Sequence, residues 1–186
     1  MNPIPKEHPI LFQAEMIRQI LSGNKTQTRR LVKCPRGLEE IWQDGAAHFD
    51  IMHNGRDGYD VVEWEADHAI KHALMCPYGQ PGDRLWLRER VADTTKYRAL
   101  SRLLLEITAV RVERLQDISE ADAVAEGVET HADSYCSFRD YSCENKWFGN
   151  DSLAAGASYR TLWESIHGPG SWQRNEWVWV VTFEKV

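Results

Sequence analysis

Side chains able to do chemistry are most concentrated in the segment from Ser22 to Arg30, which reads SGNKTQTRR. One amine, two hydroxyls and two guanidinium groups follow one another here: Lys25, Thr26, Thr28, Arg29 and Arg30. Such groups bind anions and ligands rich in hydrogen-bond acceptors. A lysine whose pKa is lowered by burial and by neighbouring positive charge can also take the proton of a threonine hydroxyl and make it a nucleophile. The segment therefore predicts a ligand-binding or catalytic site, and a solvated basic strand edge is the structural alternative.

A helix before this segment and a strand after it must position these side chains. Apolar residues share one predicted helix face at four positions: Met16, Ile17, Ile20 and Leu21. Gly23 suits the left-handed conformation that ends a helix. From Thr26 onward the residues alternate as they do in a strand, with one face polar almost throughout. Because Lys25 lies at the bend, its long stem can turn toward either face and converge with Thr28.

A short helix later in the chain supplies a candidate acidic partner. Ser119 is a suitable N-cap, the helix is predicted from Glu120 to Glu126, and Gly127 ends it. The helix dipole disfavours a carboxylate in the last turn. We therefore expect Glu126 to bind a cation or to have a raised pKa, and a side chain that merely faces water is the alternative.

A second candidate ligand surface follows the turn Pro81-Gly82-Asp83, which predicts a strand at residues 84–89. In that strand Arg84 and Trp86 share one face. An indole beside guanidinium groups can stack on a nucleobase, or it can close the end of a barrel.

The remaining patterns predict an α+β fold. Residues 34–80 suggest short strands or a hairpin, residues 103–113 a long central strand, and residues 130–156 a long loop whose aromatic side chains can form a lid. A second amphipathic helix carries an apolar stripe that we expect to lie in the core: Tyr159, Leu162, Trp163 and Ile166. The last strand, at residues 177–183, places two indoles on one side.

Metal ligation is conceivable at one place in the sequence. His68, His72 and Cys76 are spaced four residues apart and would share a helix face, as zinc ligands can. Since Pro77 follows at once and no second ligand group is near in sequence, we expect packing roles and no metal site. No pair of cysteines forms a CxxC motif, so all four are expected to be free thiols: Cys34, Cys76, Cys136 and Cys143.

Composition and charge exclude several classes of function. A chain of 186 residues with 42% hydrophobic residues predicts one domain over residues 1–186, and it has no apolar run long enough to span a membrane. The N-terminal residues do not form a secretion or transit signal, so a cytoplasmic location is expected. The net charge of −6 argues against broad, non-specific binding of DNA or RNA, which needs a wide basic surface. Any contact with nucleic acid should be local.

In this order, these patterns resemble the ASCH domain family of the PUA-like superfamily, in particular its larger bacterial and prophage members. The motifs that carry the resemblance are Lys25-Thr26-Gln27-Thr28-Arg29-Arg30, Cys76-Pro77-Tyr78-Gly79, Gly82-Asp83-Arg84-Leu85-Trp86 and Trp177-Val178-Trp179-Val180. The resemblance covers most of the chain and implies a PUA-like mixed β-barrel with flanking helices. Compared with small members of the family, the chain is expected to carry insertions at about residues 34–80 and 130–156.

The resemblance also implies an activity. Small ASCH proteins are amidohydrolases that remove the acetyl group of N4-acetylcytidine with a Lys, a Thr and a Glu, and the matching residues here are Lys25, Thr28 and Glu126. The expected partner is a modified nucleoside or RNA, and the expected reaction needs no metal or other cofactor. The residues expected to bind the substrate are Thr26, Arg29, Arg30, Arg84 and Trp86.

Two alternatives use the same cleft. In a non-catalytic RNA-binding module, Lys25, Arg29 and Arg30 would hold phosphates while an aromatic side chain stacks on a base. In a ribonuclease, Lys25 would activate a 2′-hydroxyl and an arginine would stabilise the phosphorane. The position of Thr28 relative to Glu126 discriminates between these readings, because the amidohydrolase has no mechanism if the two residues lie far apart.

Overall fold

A computed structural model describes residues 4–33, 49–54, 59–66, 70–89, 103–131, 138–143, 146–148 and 154–186. In chain order its elements are β1 (Glu7–Phe12), α1 (Ala14–Leu21), β2 (Gln27–Leu31), β3 (Phe49–Asn54), β4 (Tyr59–Ala66), β5 (Ile70–Leu74), β6 (Arg84–Glu89), β7 (Leu104–Arg114), α2 (Glu120–Ala125), β8 (Phe138–Asp140), β9 (Lys146–Phe148), α3 (Ala154–His167) and β10 (Trp177–Lys185). A 3-10 turn, Leu115–Asp117, links β7 to α2.

Eight of the strands form one mixed sheet, and the fold is therefore α+β as predicted. The order along the sheet is β1-β6-β7-β10-β2, with β4 also paired to β7 and flanked by β3 and β5. The long strand predicted near residues 103–113 is central, and the strands predicted within residues 34–80 are present. β1 and β2 lie at opposite ends of the main path, yet Arg30 Nη2 of β2 donates a hydrogen bond of 2.7 Å to the Leu11 carbonyl of β1. The sheet is thus curved like a barrel, with its end strands close together.

The alternation in β10 divides the core between the two faces of the sheet. Trp179 and Phe183 belong to a hydrophobic cluster with β1, β6 and β7. Val178 and Val180 point the other way and pack with residues of α2 and α3. Successive side chains of a strand point to opposite faces, so a strand buried on both sides joins the two clusters. α3 is held against the sheet by the second cluster, and this placement forms one wall of the candidate site.

Local signals for helix ends are confirmed. Gly23 follows α1 with a φ of 81°, and Gly127 follows α2 with the same value. Ser119 accepts a hydrogen bond from the backbone N–H of Asp122, as an N-cap does. In the part of the chain that the structure describes, no helix is long and apolar enough to cross a membrane.

The zinc geometry considered from the sequence required a helix, but Ile70–Leu74 is a strand. The described residues also contain no group of three or more potential metal ligands. Cys76 is buried and Cys143 exposed, and both are free thiols as expected. His68, Cys34 and Cys136 lie outside the described residues.

Candidate functional site

A cavity of about 220 Å³ lies where the end of β1, the start of α1, β2, the C-terminal end of α2 and one face of α3 meet. Its polar wall includes four residues singled out from the sequence: Thr28, Arg29, Arg30 and Glu126. An apolar wall faces them, and it includes Phe12 and Met16. The volume is below the roughly 300–1,000 Å³ of pockets for drug-sized ligands, so the cavity suits a compact ligand such as a single base.

Lys25 lies behind this cavity and is held by Glu126. Its Nζ donates to Glu126 Oε2 at 2.8 Å and to the Glu126 carbonyl oxygen at 2.7 Å. Only 1% of the Lys25 side chain and 4% of that of Glu126 are exposed. The two backbones form an isolated bridge, and the Thr26 N–H donates to the Ala125 carbonyl at 2.9 Å. The segment after α1 is therefore fastened to the end of α2 by main-chain bonds that fix the position of the amine.

Burial lowers the pKa of Lys25 below 10.5, its ordinary value. Loss of solvation is the main cause, Glu126 opposes it, and the positive charges of Arg30 and Arg29 lower the pKa further. The interpretation of this segment as a solvated strand edge is therefore wrong for Lys25, Thr28 and Arg29, although β2 is an end strand of the sheet path. The expectation that Glu126 binds a cation is confirmed.

Arg29 positions Glu126 and is not free to hold a ligand. Its Nη1 donates to Glu126 Oε1 at 3.1 Å and to Gln27 Oε1 at 2.7 Å, while Nε donates to Glu113 Oε1 at 3.0 Å. Its Nη2 also pairs with Glu113 and lies 3.5 Å from Asp122. None of its side chain is exposed. Contrary to the expectation from the sequence, the guanidinium group holds protein carboxylates and does not present a free surface to phosphate.

Thr28 and Arg30 project from the same face of β2. They pair with Val181 and Trp179 of β10, whose side chains lie on the barrel-interior face. Besides its bond to Leu11, Arg30 places its guanidinium 5.2 Å from the centre of the Phe12 ring. Its buried Nε has no hydrogen-bond partner among the described residues. Of the two arginines on this strand, Arg30 is therefore the one with a donor left for a ligand.

The wall formed by α3 was not predicted as part of the site. The stripe assigned to the core from the sequence also lines the cavity, together with the residue that ends the helix: Tyr159, Leu162, Trp163, Ile166 and His167. Tyr159 and Trp163 are buried, and burial raises the pKa of the Tyr159 phenol well above 10.0, its ordinary value. Trp163 stacks on His167 with ring centres 4.0 Å apart. Helical periodicity identifies the buried face but cannot separate a closed core from a cavity wall, so no local signal marked these residues.

Three other predicted ligand residues lie away from the cavity. Arg84 faces Glu106 at 3.8 Å. Trp86 is only 9% exposed, which leaves no open ring face for a base. Thr26 is exposed and lines a separate hollow near the end of α1. The stacking surface predicted on β6 is therefore absent from this site, because Arg84 and Trp86 do not line the cavity and the indole is buried.

The predicted loop at residues 130–156 contains the β8–β9 hairpin and the first residues of α3. Tyr141 accepts a hydrogen bond from the Glu129 N–H and lines a hollow next to the main cavity. Trp147 packs edge-on against His131, with ring centres 4.8 Å apart. None of the described aromatic residues in this loop lines the main cavity, so the predicted lid is not formed by them. Tyr135 lies outside the described residues.

No protein-family model and no curated protein matches the sequence. Among solved structures, a crystal structure of an ASCH domain from Lactobacillus crispatus JV V101 matches with 16% sequence identity and a TM-score of 0.42, covering 97% of this chain and 79% of that one. This chain is similar to an ASCH domain, the family that its sequence motifs resemble.

Proposed function

We propose that this chain is an amidohydrolase that cleaves the acyl amide of a modified cytosine of the N4-acetylcytidine type. One observation carries the proposal: a lysine with a lowered pKa is buried against Glu126, next to a cavity whose wall contains Thr28. This arrangement supports Thr28 as the nucleophile, Lys25 as the base and Glu126 as the group that orients the base, because Thr28 and Glu126 line one cavity and Lys25 is bonded to Glu126. Thr28 and Glu126 line the same cavity, which is the arrangement that the amidohydrolase reading requires.

The hydrogen bonds of Lys25 suit the neutral amine. A neutral amine has two N–H donors and one lone pair, and the two acceptors on Glu126 use both donors. The lone pair is then left to accept the proton of the Thr28 hydroxyl. Thr28 Oγ attacks the amide carbonyl carbon, a C–O bond forms, and the carbonyl electron pair moves to oxygen. Arg30, whose Nε has no partner among the described residues, is the donor that can stabilise this oxyanion.

The second half of the reaction returns the proton. The ammonium of Lys25 gives its proton to the exocyclic amine of the base as the amide C–N bond breaks. This step leaves an acyl ester on Thr28. Water then attacks the ester with Lys25 again as the base, and the carboxylic acid departs as Thr28 recovers its proton. Glu126 stabilises the charged form of Lys25 between these steps. Arg29 keeps Glu126 in place from the other side.

RNA binding and RNA cleavage receive less support from the site. The RNA-binding alternative needs Lys25 and Arg29 to face phosphate, and the ribonuclease needs Lys25 to face a ribose hydroxyl. Both side chains are buried and paired with carboxylates, and Glu113 and Asp122 add further negative charge around Arg29. A phosphate bound here would lie close to these carboxylates, so the surroundings disfavour its binding.

The test is deacetylation of N4-acetylcytidine, followed by the change in ultraviolet absorbance. Thr28→Val removes the hydroxyl at nearly constant volume and should abolish turnover, whereas Thr28→Ser should retain part of it. Lys25→Met should lower kcat by about 10²-fold or more, the usual contribution of a general base. Lys33→Met is the matched control, because Lys33 is exposed and does not line the cavity. A folded wild-type protein without activity, or an active Thr28→Val variant, would refute the proposal.

A further inference from the structure

Two residues that line the cavity each carry a buried N–H donor with no acceptor among the described residues. The donors are Arg30 Nε and the indole Nε1 of Trp163. Trp163 is only 3% exposed. Buried polar groups in native proteins are nearly always paired, so an unpaired donor on a residue that lines a cavity is a candidate to bind an acceptor on the ligand. Two donors on different elements are candidates to bind two acceptors.

The two donors belong to different elements of the cavity wall, Arg30 to β2 and Trp163 to α3. Arg30 is two residues from Thr28 on the same strand face, about 6.6 Å along the strand, and its flexible side chain can reach the carbonyl that Thr28 attacks. Trp163 belongs to α3, on the wall formed by the helix. Its ring is held by the stack with His167 and by contact with Tyr159, at 4.0 and 6.3 Å between ring centres. The indole ring is therefore held firmly, on an element separate from the strand that carries Thr28.

We propose that Trp163 is a specificity-determining residue whose Nε1 donates to the 2-oxo oxygen of a pyrimidine amide. This inference rests on the proposed function, because it assigns Arg30 to the acyl carbonyl. Besides the acyl carbonyl, a cytosine-type base has a carbonyl in its ring, two bonds from the ring carbon that carries the amide. The oxygen of this ring carbonyl is a hydrogen-bond acceptor that takes no part in the reaction. A site built to hydrogen-bond such an atom rejects an analogue without it, because the buried donor is then left unpaired.

The prediction can be tested by binding in a variant that does not turn over. Thr28→Val would be compared with Thr28→Val/Trp163→Phe by calorimetry, using N4-acetylcytosine and 4-acetamidopyrimidine, which lacks the 2-oxo group. We expect the added Trp163→Phe change to weaken binding of N4-acetylcytosine about tenfold and to leave the other ligand nearly unchanged. Equal weakening of both ligands, or of neither, would overturn the proposal.

A second readout uses the intact tryptophan. The indole N–H signal that disappears in the Trp163→Phe spectrum belongs to Trp163, and in Thr28→Val it should shift downfield with N4-acetylcytosine but not with 4-acetamidopyrimidine. If no indole N–H signal of Thr28→Val shifts selectively with N4-acetylcytosine, the inference is overturned even when Trp163→Phe fails to fold, because that outcome needs no assignment. Failure of the proposed function has a different signature, since the wild type would then bind N4-acetylcytosine selectively without hydrolysing it.

Discussion

Replacing Glu126 by glutamine should destabilise the fold strongly, although the two side chains have nearly the same shape. The carboxylate is 4% exposed and accepts from Lys25 at 2.8 Å and from Arg29 at 3.1 Å. Removing one member of a buried ion pair typically costs about 3–5 kcal/mol, because the remaining charge stays buried. Two features reduce this cost here. Lys25 has a lowered pKa and can lose its proton, and Arg29 retains Glu113.

We therefore expect Glu126→Gln to lower the free energy of unfolding by about 3 kcal/mol, the lower end of that range. For a chain of this length, such a change lowers Tm by roughly 6–12 °C. The assay is urea unfolding at pH 7, in which the slope of the unfolding free energy against urea concentration should be the same for both proteins.

The matched control is Glu129→Gln. Glu129 pairs with Arg139 at the same distance of 2.8 Å, but 20% of the Glu129 side chain and 40% of the Arg139 side chain are exposed. An exposed pair contributes about 0–1 kcal/mol. A loss below about 1 kcal/mol for Glu126→Gln, or one no larger than that of Glu129→Gln, would refute the reasoning.

Two further outcomes follow from the same site. The pKa of Lys25 is lower in the folded protein than its ordinary value of 10.5. Between these two pKa values the unfolded chain binds more protons than the folded protein. The stability of the wild type relative to Lys25→Met should therefore rise with pH up to about 10.5. Urea unfolding between pH 7 and about pH 10 measures that difference, and a difference that falls with pH would mean that Glu126 outweighs burial. Gly127→Ala should cost more than Gly168→Ala, because both positions have positive φ but only at Gly127 would the new Cβ lie 2.8 Å from the Lys25 Cβ. Thermal unfolding compares the two variants, and equal losses would show that the contact with Lys25 can relax.

Local patterns in the sequence predicted much of the fold. The spacing of apolar residues predicted α1, and Gly23 and Gly127 marked the ends of α1 and α2. These signals depend on backbone conformation and on neighbours within a few residues. The central position of β7 followed from its length and its β-forming residues. Because Gly127 marked the end of α2, the sequence also predicted that this helix ends at Glu126.

The roles within the site could be predicted only in part. The motif indicated Lys25 and Glu126 as partners, but it did not indicate that Arg29 holds the same carboxylate from the other side. It also placed Trp86 in the site, whereas β6 is an inner strand and the indole is buried. Trp163 was assigned to the core because its helix face is apolar. In each case the outcome depends on which element lies opposite the side chain, and strand or helix periodicity contains no information on that.

The sequence by itself determined the types of elements, their ends and the chemical groups available, because each is set by covalent neighbours and short-range sterics. The tertiary structure alone decided which cations are neutralised, which donors stay unpaired and where the cavity lies. Lys25 and Glu126 are 101 residues apart in the chain, and their contact exists only because β2 and α2 are packed together. Burial in that contact lowers the pKa of the lysine, so the property on which the proposed chemistry depends arises from packing between distant segments.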